Sequence, residues 1–241
     1  MNRIDLLATA GLATLACVGV LAAAPVLAPL SSADRAGSPW QKAGLPQQKK
    51  PWTRFAVVQL EGETVLQVDA DNSYGNLVHP VPEAASALRR LSWRWRVDLP
   101  NPDADLRRKD GDDVPVKVCA MFDVPMAEVP FVDRQVLRLA RVRGGESYPS
   151  ATVCYVWDAR LAPGTQIDNA FTPRMRMIVL QGPQSPLHTW QVQQRDLAAD
   201  FLLLFGKESR NVPPLLGIGV GADADNTHLH TQAHVADLVL Q

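Results

Sequence analysis

The chain has 241 residues, a formal net charge of −1 and 20% charged residues. That balance gives no reason to expect nucleic acid, or an anionic membrane drawn by overall charge, as a partner. Arginine outnumbers lysine, which suits fixed planar contacts to carboxylates.

From Leu6 to Leu30 there is no charged residue, and Leu, Ala and Val dominate. This predicts an export signal over residues 1–33, with Ser31-Ser32-Ala33 supplying the small residues a signal peptidase needs. The run is also long enough to span a bilayer, so an uncleaved N-terminal anchor is the second reading. A lipoprotein signal at Cys17 is the third, with Thr14 standing where leucine is expected. Each reading puts the folded part outside the cytoplasm, periplasmic or secreted. Roughly 205 residues follow, enough for one domain with a substantial core.

Residues 34–52 are rich in Ser, Pro, Gln and Lys without apolar period and read as a linker. From Thr53 short β-rich runs begin. Phe55 to Leu60 and Thr64 to Val68 flank Glu61-Gly62-Glu63, a predicted hairpin. Leu91 to Asp98 alternates, with Leu91, Trp93, Trp95 and Val97 on one face and Ser92, Arg94, Arg96 and Asp98 on the other. Further strands are expected at Val114 to Phe122, Ala151 to Asp158, Arg174 to Gln181, Thr189 to Arg195, Leu215 to Gly221 and Ala233 to Leu240. Val132 to Val142 and Leu197 to Phe205 have helical spacing, the second ending at Gly206. About nine strands and two short helices predict a mainly-β domain over residues 53–241, an antiparallel jelly-roll-like sandwich. Cys119 and Cys154 lie in strand-like runs; in an oxidising compartment they are either a disulfide or two small buried apolar residues.

Several blocks together resemble the bacterial domain-of-unknown-function family 3047. They are Leu91-Ser-Trp-Arg-Trp-Arg-Val-Asp98, Asp110-Gly-Asp-Asp113, Phe122-Asp123, Tyr155-Val-Trp157, Asn169, Arg174-Met-Arg-Met-Ile-Val179, Trp190, Gln194-Arg-Asp196 with Asp200, Phe205-Gly206 and Asp223-Ala-Asp-Asn-Thr227. The resemblance runs from about Leu91 to Leu240. It implies an exported protein with a β-sandwich reminiscent of carbohydrate-binding modules, and no established activity. Gln194 stands where the family pattern has Glu, and His228, His230 and His234 stand where small residues are usual.

Asp223, Asp225 and Asn226 end a glycine-rich apolar strand and are candidate ligands for calcium, which takes oxygens from carboxylates, amides and carbonyls. They make a site if Asp112 and Asp113 meet them in space; otherwise such residues cap turns. An EF-hand is excluded, because Thr227 and His228 stand where a ligand and the sixth-position glycine belong. Gly217-x-Gly219-x-x-Ala222 matches a dinucleotide fingerprint only superficially, since no helix follows it. His228, His230 and His234 are either a His-x-His metal set or exposed strand residues. Trp93 and Trp95 are expected in the core. Trp157 is a candidate sugar-stacking ring, with Arg94, Arg96, Asp112, Asp113, Asn169 and Arg174 as polar ligand contacts.

The first functional reading is non-catalytic binding of a glycan or another polyhydroxylated ligand, with a structural calcium. The second is a polysaccharide-active enzyme using a carboxylate pair drawn from Asp112, Asp113, Asp158, Asp223 and Asp225. The third is a periplasmic assembly or interaction protein.

Overall fold

The computed structural model describes residues 25–45, 47–144 and 148–241; the apolar N-terminal run as far as Ala24, Cys17 included, lies outside them. In chain order the elements are β1 (Gln41–Ala43), β2 (Arg54–Leu60), β3 (Glu63–Asp71), β4 (Tyr74–Pro80), β5 (Arg90–Leu99), β6 (Val114–Phe122), α1 (Phe131–Gly144), β7 (Ala151–Trp157), β8 (Gln166–Asp168), β9 (Met175–Gln181), β10 (Gln191–Asp196), α2 (Leu197–Phe205), β11 (Leu215–Asp223) and β12 (His230–Leu240). They form two facing sheets, a seven-stranded one in the order β1-β4-β11-β6-β7-β9-β8 and a five-stranded one in the order β10-β5-β12-β3-β2. Every strand pair is antiparallel except β7 with β9, which run parallel across the connection that carries β8. The fold is the expected mainly-β sandwich with two helices.

Alternation builds the core. Trp93 and Trp95 turn inward from β5 and meet edge-on, Trp95 and Trp157 lie 6.5 Å apart, and Tyr155 packs against Trp93. Val116, Val118 and Ala120 of β6 face Ala233 and Val235 of the other sheet across this layer. Each fully buried aromatic or branched side chain contributes about 1.5–3 kcal/mol. The β2–β3 hairpin turns on Glu61 and Gly62, with φ of 55° and 85°, the paired left-handed residues of a two-residue loop that matches strand twist. Asp196 caps α2 by accepting from the N–H groups of Ala198 and Ala199.

Two features differ from the sequence expectation. The stretch read as a linker carries β1, which pairs with β4, and Trp40 is buried. Leu27 and Leu30, within the stretch read as a removable signal, are buried in the same core. The Ala28 N–H donates to His79 Nε2 (3.0 Å), and Trp40 Nε1 donates to the Ala28 carbonyl (2.9 Å). Isolated apolar anchors separated by Ser, Pro and Gly leave no period to read, which is why this strap was missed. β4 was missed because Asn72, Ser73, Gly75 and Asn76 spell turn chemistry; the first two do make the turn after β3, Asn72 with φ of 43°, but pairing with β1 and β11 holds Gly75 and Asn76 extended. No described helix is long and apolar enough to cross a membrane.

Candidate functional site

The outward face of the seven-stranded sheet is covered on one half only. Over β6, β7 and β9 the chain from Asn101 to Asp113 and the chain after Trp157 fold back. They build a second apolar cluster of Leu106, Val114, Cys119, Cys154, Val156, Leu161, Met177 and Val179. Cys119 and Cys154 are cross-strand neighbours in β6 and β7 and form a disulfide within this layer. Over β4 and β11 no chain folds back, and the β11 glycines are buried under neighbouring side chains instead. Ile218, Val220 and Ala222 point into the core, so Gly217, Gly219 and Gly221 point out and leave β11 without outward side chains. The half-exposed Asn76 and Val78 of β4 and Met121 of β6 lean over this glycine lane. This strip, its glycine backbone buried beneath Asn76, Val78 and Met121, is the trough of the sheet face.

One end of the trough is polar. Tyr74, Asp223 and Val114 share a row across β4, β11 and β6. The Val114 N–H donates to Asp223 Oδ1 at 2.9 Å, and Lys117 Nζ donates to Oδ2 at 2.7 Å. The same ammonium lies 4.9 Å from the centre of the Tyr74 ring, and Asn76 Nδ2 donates to the Tyr74 hydroxyl. Asn169 reaches over from the β8–β9 connection and donates to Asp112 Oδ2. Asp113, fully buried, accepts from the Asn226 and Thr227 backbone N–H groups, from Asn226 Nδ2 and from the Thr227 hydroxyl. Lys50 donates to the Asp225 carbonyl and pairs with its Oδ2 at 3.2 Å, while Asp225 Oδ1 is buried without a partner.

Four aspartates thus face two lysines, and burial shows in the titration of Asp223, Lys117 and Asp112. Burial pushes the Asp223 carboxyl up to about 7, with help from Asp113 and Asp112 and against the pull of Lys117. Burial works to strip the Lys117 proton, but the Asp223 carboxylate more than offsets it and holds the ammonium above its ordinary value. Asp112 is also raised, by burial first and then by Asp113 and Asp225, against Lys117 and the Asn169 amide.

Asp112 and Asp113 therefore lie beside Asp223, Asp225 and Asn226, with Asn169 bonded to Asp112. They do not form the oxygen cage expected for calcium. Lys117 and Lys50 fill the cation positions, and Asp113 spends both oxygens on the 226–227 turn. Among the described residues no set of three His, Cys, Asp or Glu is arranged to hold a metal.

The other ligand candidates lie elsewhere. Trp157 is buried against Trp95, because its strand alternation points it inward. Arg94 and Arg96 project from the five-stranded sheet, on the opposite side of the sandwich. Glu63 and Asp237 hold Arg94, Glu61 and Asp98 hold Arg96, and the Trp190 ring covers both. Arg174 is buried at the other end of the seven-stranded sheet, bonded to the Ser150 carbonyl and Glu208 and set 5.1 Å from the Phe205 ring. The histidines do not converge: His228 bonds Asn72, His230 lies by Asp69 and His234 by Asp98.

Sequence reasoning missed Lys117, Tyr74 and Asn76. A single lysine inside the apolar run Val114 to Phe122 was the available signal, since a buried lysine demands a carboxylate partner.

Solved structures with a similar course include a family 11 carbohydrate-binding module of the cellulosomal cellulase Lic26A-Cel5E of Clostridium thermocellum. It is 8% identical, covers 91% of this chain and 95% of that chain, and has a TM-score of 0.39. The xyloglucanase domain of NopAA from Sinorhizobium fredii, 8% identical, covers 86% and 99% with a TM-score of 0.42. Endoglucanase cel12A from Rhodothermus marinus, 12% identical, covers 84% and 96% with a TM-score of 0.40. No curated protein matches the sequence. Residues 38–239 match the family described as Protein of unknown function (DUF3047), and the chain belongs to that family.

Proposed function

We propose that this protein is an exported domain that binds a glycan or another polyhydroxylated ligand in the β4–β11 trough without transforming it. The observation that carries the reading is the low, half-exposed surface that Asn76, Val78 and Met121 make over Gly217, Gly219 and Gly221, beside a polar end made by Tyr74, Asn76, Asp112 and Asn169. A sugar offers a flat face of C–H groups and a rim of hydroxyls. Val78 and Met121 over the lane can meet the first, and amide, phenol and carboxylate groups can bond the second. Lys117 and Asp223 lie beneath as a fixed charge pair that holds Tyr74 and the strand ends in place. The Cys119–Cys154 disulfide and the uncharged N-terminal run support an oxidising compartment outside the cytoplasm.

One observation favours the second reading, a hydrolase. Burial raises the Asp112 carboxyl, the direction in which a general acid is tuned. Incubation of the protein with the glycans it binds separates the two, because release of reducing ends would assign catalysis and intact polymer would assign binding. The binding reading itself is tested by calorimetric titration with soluble polysaccharides. Tyr74→Ala and Asn76→Ala weaken affinity at least several-fold, whereas Trp190→Ala, on the opposite sheet, leaves it unchanged. Equal loss in all three would overturn the placement of the site.

A further inference from the structure

Helix α1 is seated on the sandwich by few contacts. Leu137 is buried, Arg134 donates to the Ala127 and Val129 carbonyls, and Arg141 bonds Asp123 and the Tyr148 carbonyl. Its larger apolar residues otherwise face out: Val132 is 73% exposed, Val136 65%, Leu139 53% and Val142 84%. Their spacing of four, three and three residues draws a stripe along one side of the helix, with Phe131 at its head, also exposed. Among the described residues, five of the fourteen large exposed apolar side chains lie on this single element, so the stripe is a surface and not scatter.

Charge narrows what can cover it. The helix sequence holds four arginines, at 134, 138, 141 and 143, against one aspartate, Asp133. The net charge of −1 for the whole chain hides this local excess. Arg134 and Arg141 are bonded to the sandwich while Arg138 is exposed, and an apolar stripe beside an exposed cation matches the interface of an anionic bilayer, where tails take the stripe and headgroups take the guanidinium group.

Topology supplies the third observation. α1 leaves from Phe122 and returns at Ala151, which are cross-strand partners at one end of the seven-stranded sheet. Leu215 and Pro80 belong to the same end, and His79, next to Pro80, holds Ala28 there. The chain therefore enters the sandwich close to the end that carries α1. The sequence just before that entry, Leu6 to Ala24, is uncharged and about the length that spans a hydrocarbon core. Tyr74, Asp223 and Val114, at the polar end of the trough, sit at the opposite end of the sheet.

We infer that α1 lies on an anionic membrane surface, its Val132–Val136–Leu139–Val142 stripe at the level of the headgroup–acyl boundary. The polar end of the trough then points away from the lipid.

The test uses the full chain in vesicles of phosphatidylcholine with or without phosphatidylglycerol. In a Cys17→Ser background, Val136→Cys carries an environment-sensitive fluorophore, and Val192→Cys, on the exposed five-stranded sheet, carries the same label as control. The expected result is a blue shift and quenching by brominated lipid at position 136 in phosphatidylglycerol vesicles. Both signals fall several-fold without the anionic lipid or in high salt, and position 192 shows neither. Adding Leu139→Glu beside the label abolishes the quenching, while the circular dichroism stays unchanged because Leu139 makes no core contact. Quenching that is absent at 136, equal at 136 and 192, or indifferent to Leu139→Glu overturns the inference. A shift that needs no lipid and grows with protein concentration also overturns it, and assigns the stripe to a second copy of the chain.

Discussion

Replacing Lys117 with methionine probes the charge pair under the trough. The substitution keeps the volume of the stem but removes the ammonium 2.7 Å from Asp223 Oδ2, leaving the carboxylate buried with the Val114 N–H as its donor. Removing one partner of a buried pair costs about 3–5 kcal/mol, because the remaining charge has lost its compensation. The loss depends on pH in a defined sense. The Asp223 carboxyl in the folded protein already stands at about 7, above the ordinary carboxylate value of 3.8, and rises further without Lys117. A raised carboxyl is neutral, and costs nothing in charge burial, below its unfolded value; stability is lost as pH rises through the folded value. Urea denaturation should therefore find Lys117→Met close to the parent at about pH 4 and weaker by several kcal/mol at about pH 8. Lys117→Met with Asp223→Asn should recover most of the loss and flatten the pH dependence. A cost below about 1 kcal/mol at pH 8, or a double variant no better than the single one, would refute the assignment of a buried, mutually dependent pair.

Further outcomes follow from other parts of the structure. Leu30→Ala should destabilise the chain by about 2–5 kcal/mol in denaturant titration, the range for emptying a buried leucine site. Mature protein recovered from an exporting host should begin upstream of Leu27 by intact mass, since a start at Asp34 discards two core leucines and both Ala28 bonds. Cys119→Ser with Cys154→Ser should cost about 4 kcal/mol by the chain-entropy relation for cysteines 35 residues apart, and reductant should cause the same loss in the parent only. Burial holds His79 below its ordinary value, so its share of stability is present above the unfolded value of 6.5 and lost as pH falls through the folded value. His79→Gln should shrink the loss measured between about pH 7 and pH 5, leaving the part due to His234, which burial also lowers.

Much of this architecture was legible where period and burial agree. Alternation in Leu91 to Asp98 placed Trp93 and Trp95 inside and Arg94 and Arg96 outside, and the pleat delivers that. Leu197 to Phe205 showed its helix through Asp196 at one end and Gly206 at the other. The meeting of Asp112 and Asp113 with Asp223 to Asn226 followed from acidic residues at the ends of two apolar strands, which turn out to be hydrogen-bonded neighbours. What sequence could not supply was the sheet to which each strand belongs. Arg94, Arg96 and Asp112 look alike as polar residues among β-rich runs, yet two sheets separate them. Trp157 shows the same limit, since a run buried on both faces has no polar side to reveal which way its tryptophan points. The acidic residues suggested a cation, and the protein supplies that charge from Lys117 and Lys50, residues distant in sequence from Asp223 and Asp225.

The central claim is that the β4–β11 trough holds a polyhydroxylated ligand, and an outward side chain on the glycine lane tests it most directly. A Cβ at Gly219 would meet the flexible end of Met121 at 3.1 Å and the Val78 side chain at 3.5 Å, so Gly219→Val displaces the side chains that make the ligand surface while the strand can persist. Calorimetric titration of parent and Gly219→Val with the best ligand from a soluble glycan panel gives the reading. The account predicts measurable binding by the parent and a loss of at least tenfold in the variant, with an unchanged thermal transition. Undiminished binding by Gly219→Val, or no binding to any glycan by the parent, would contradict it.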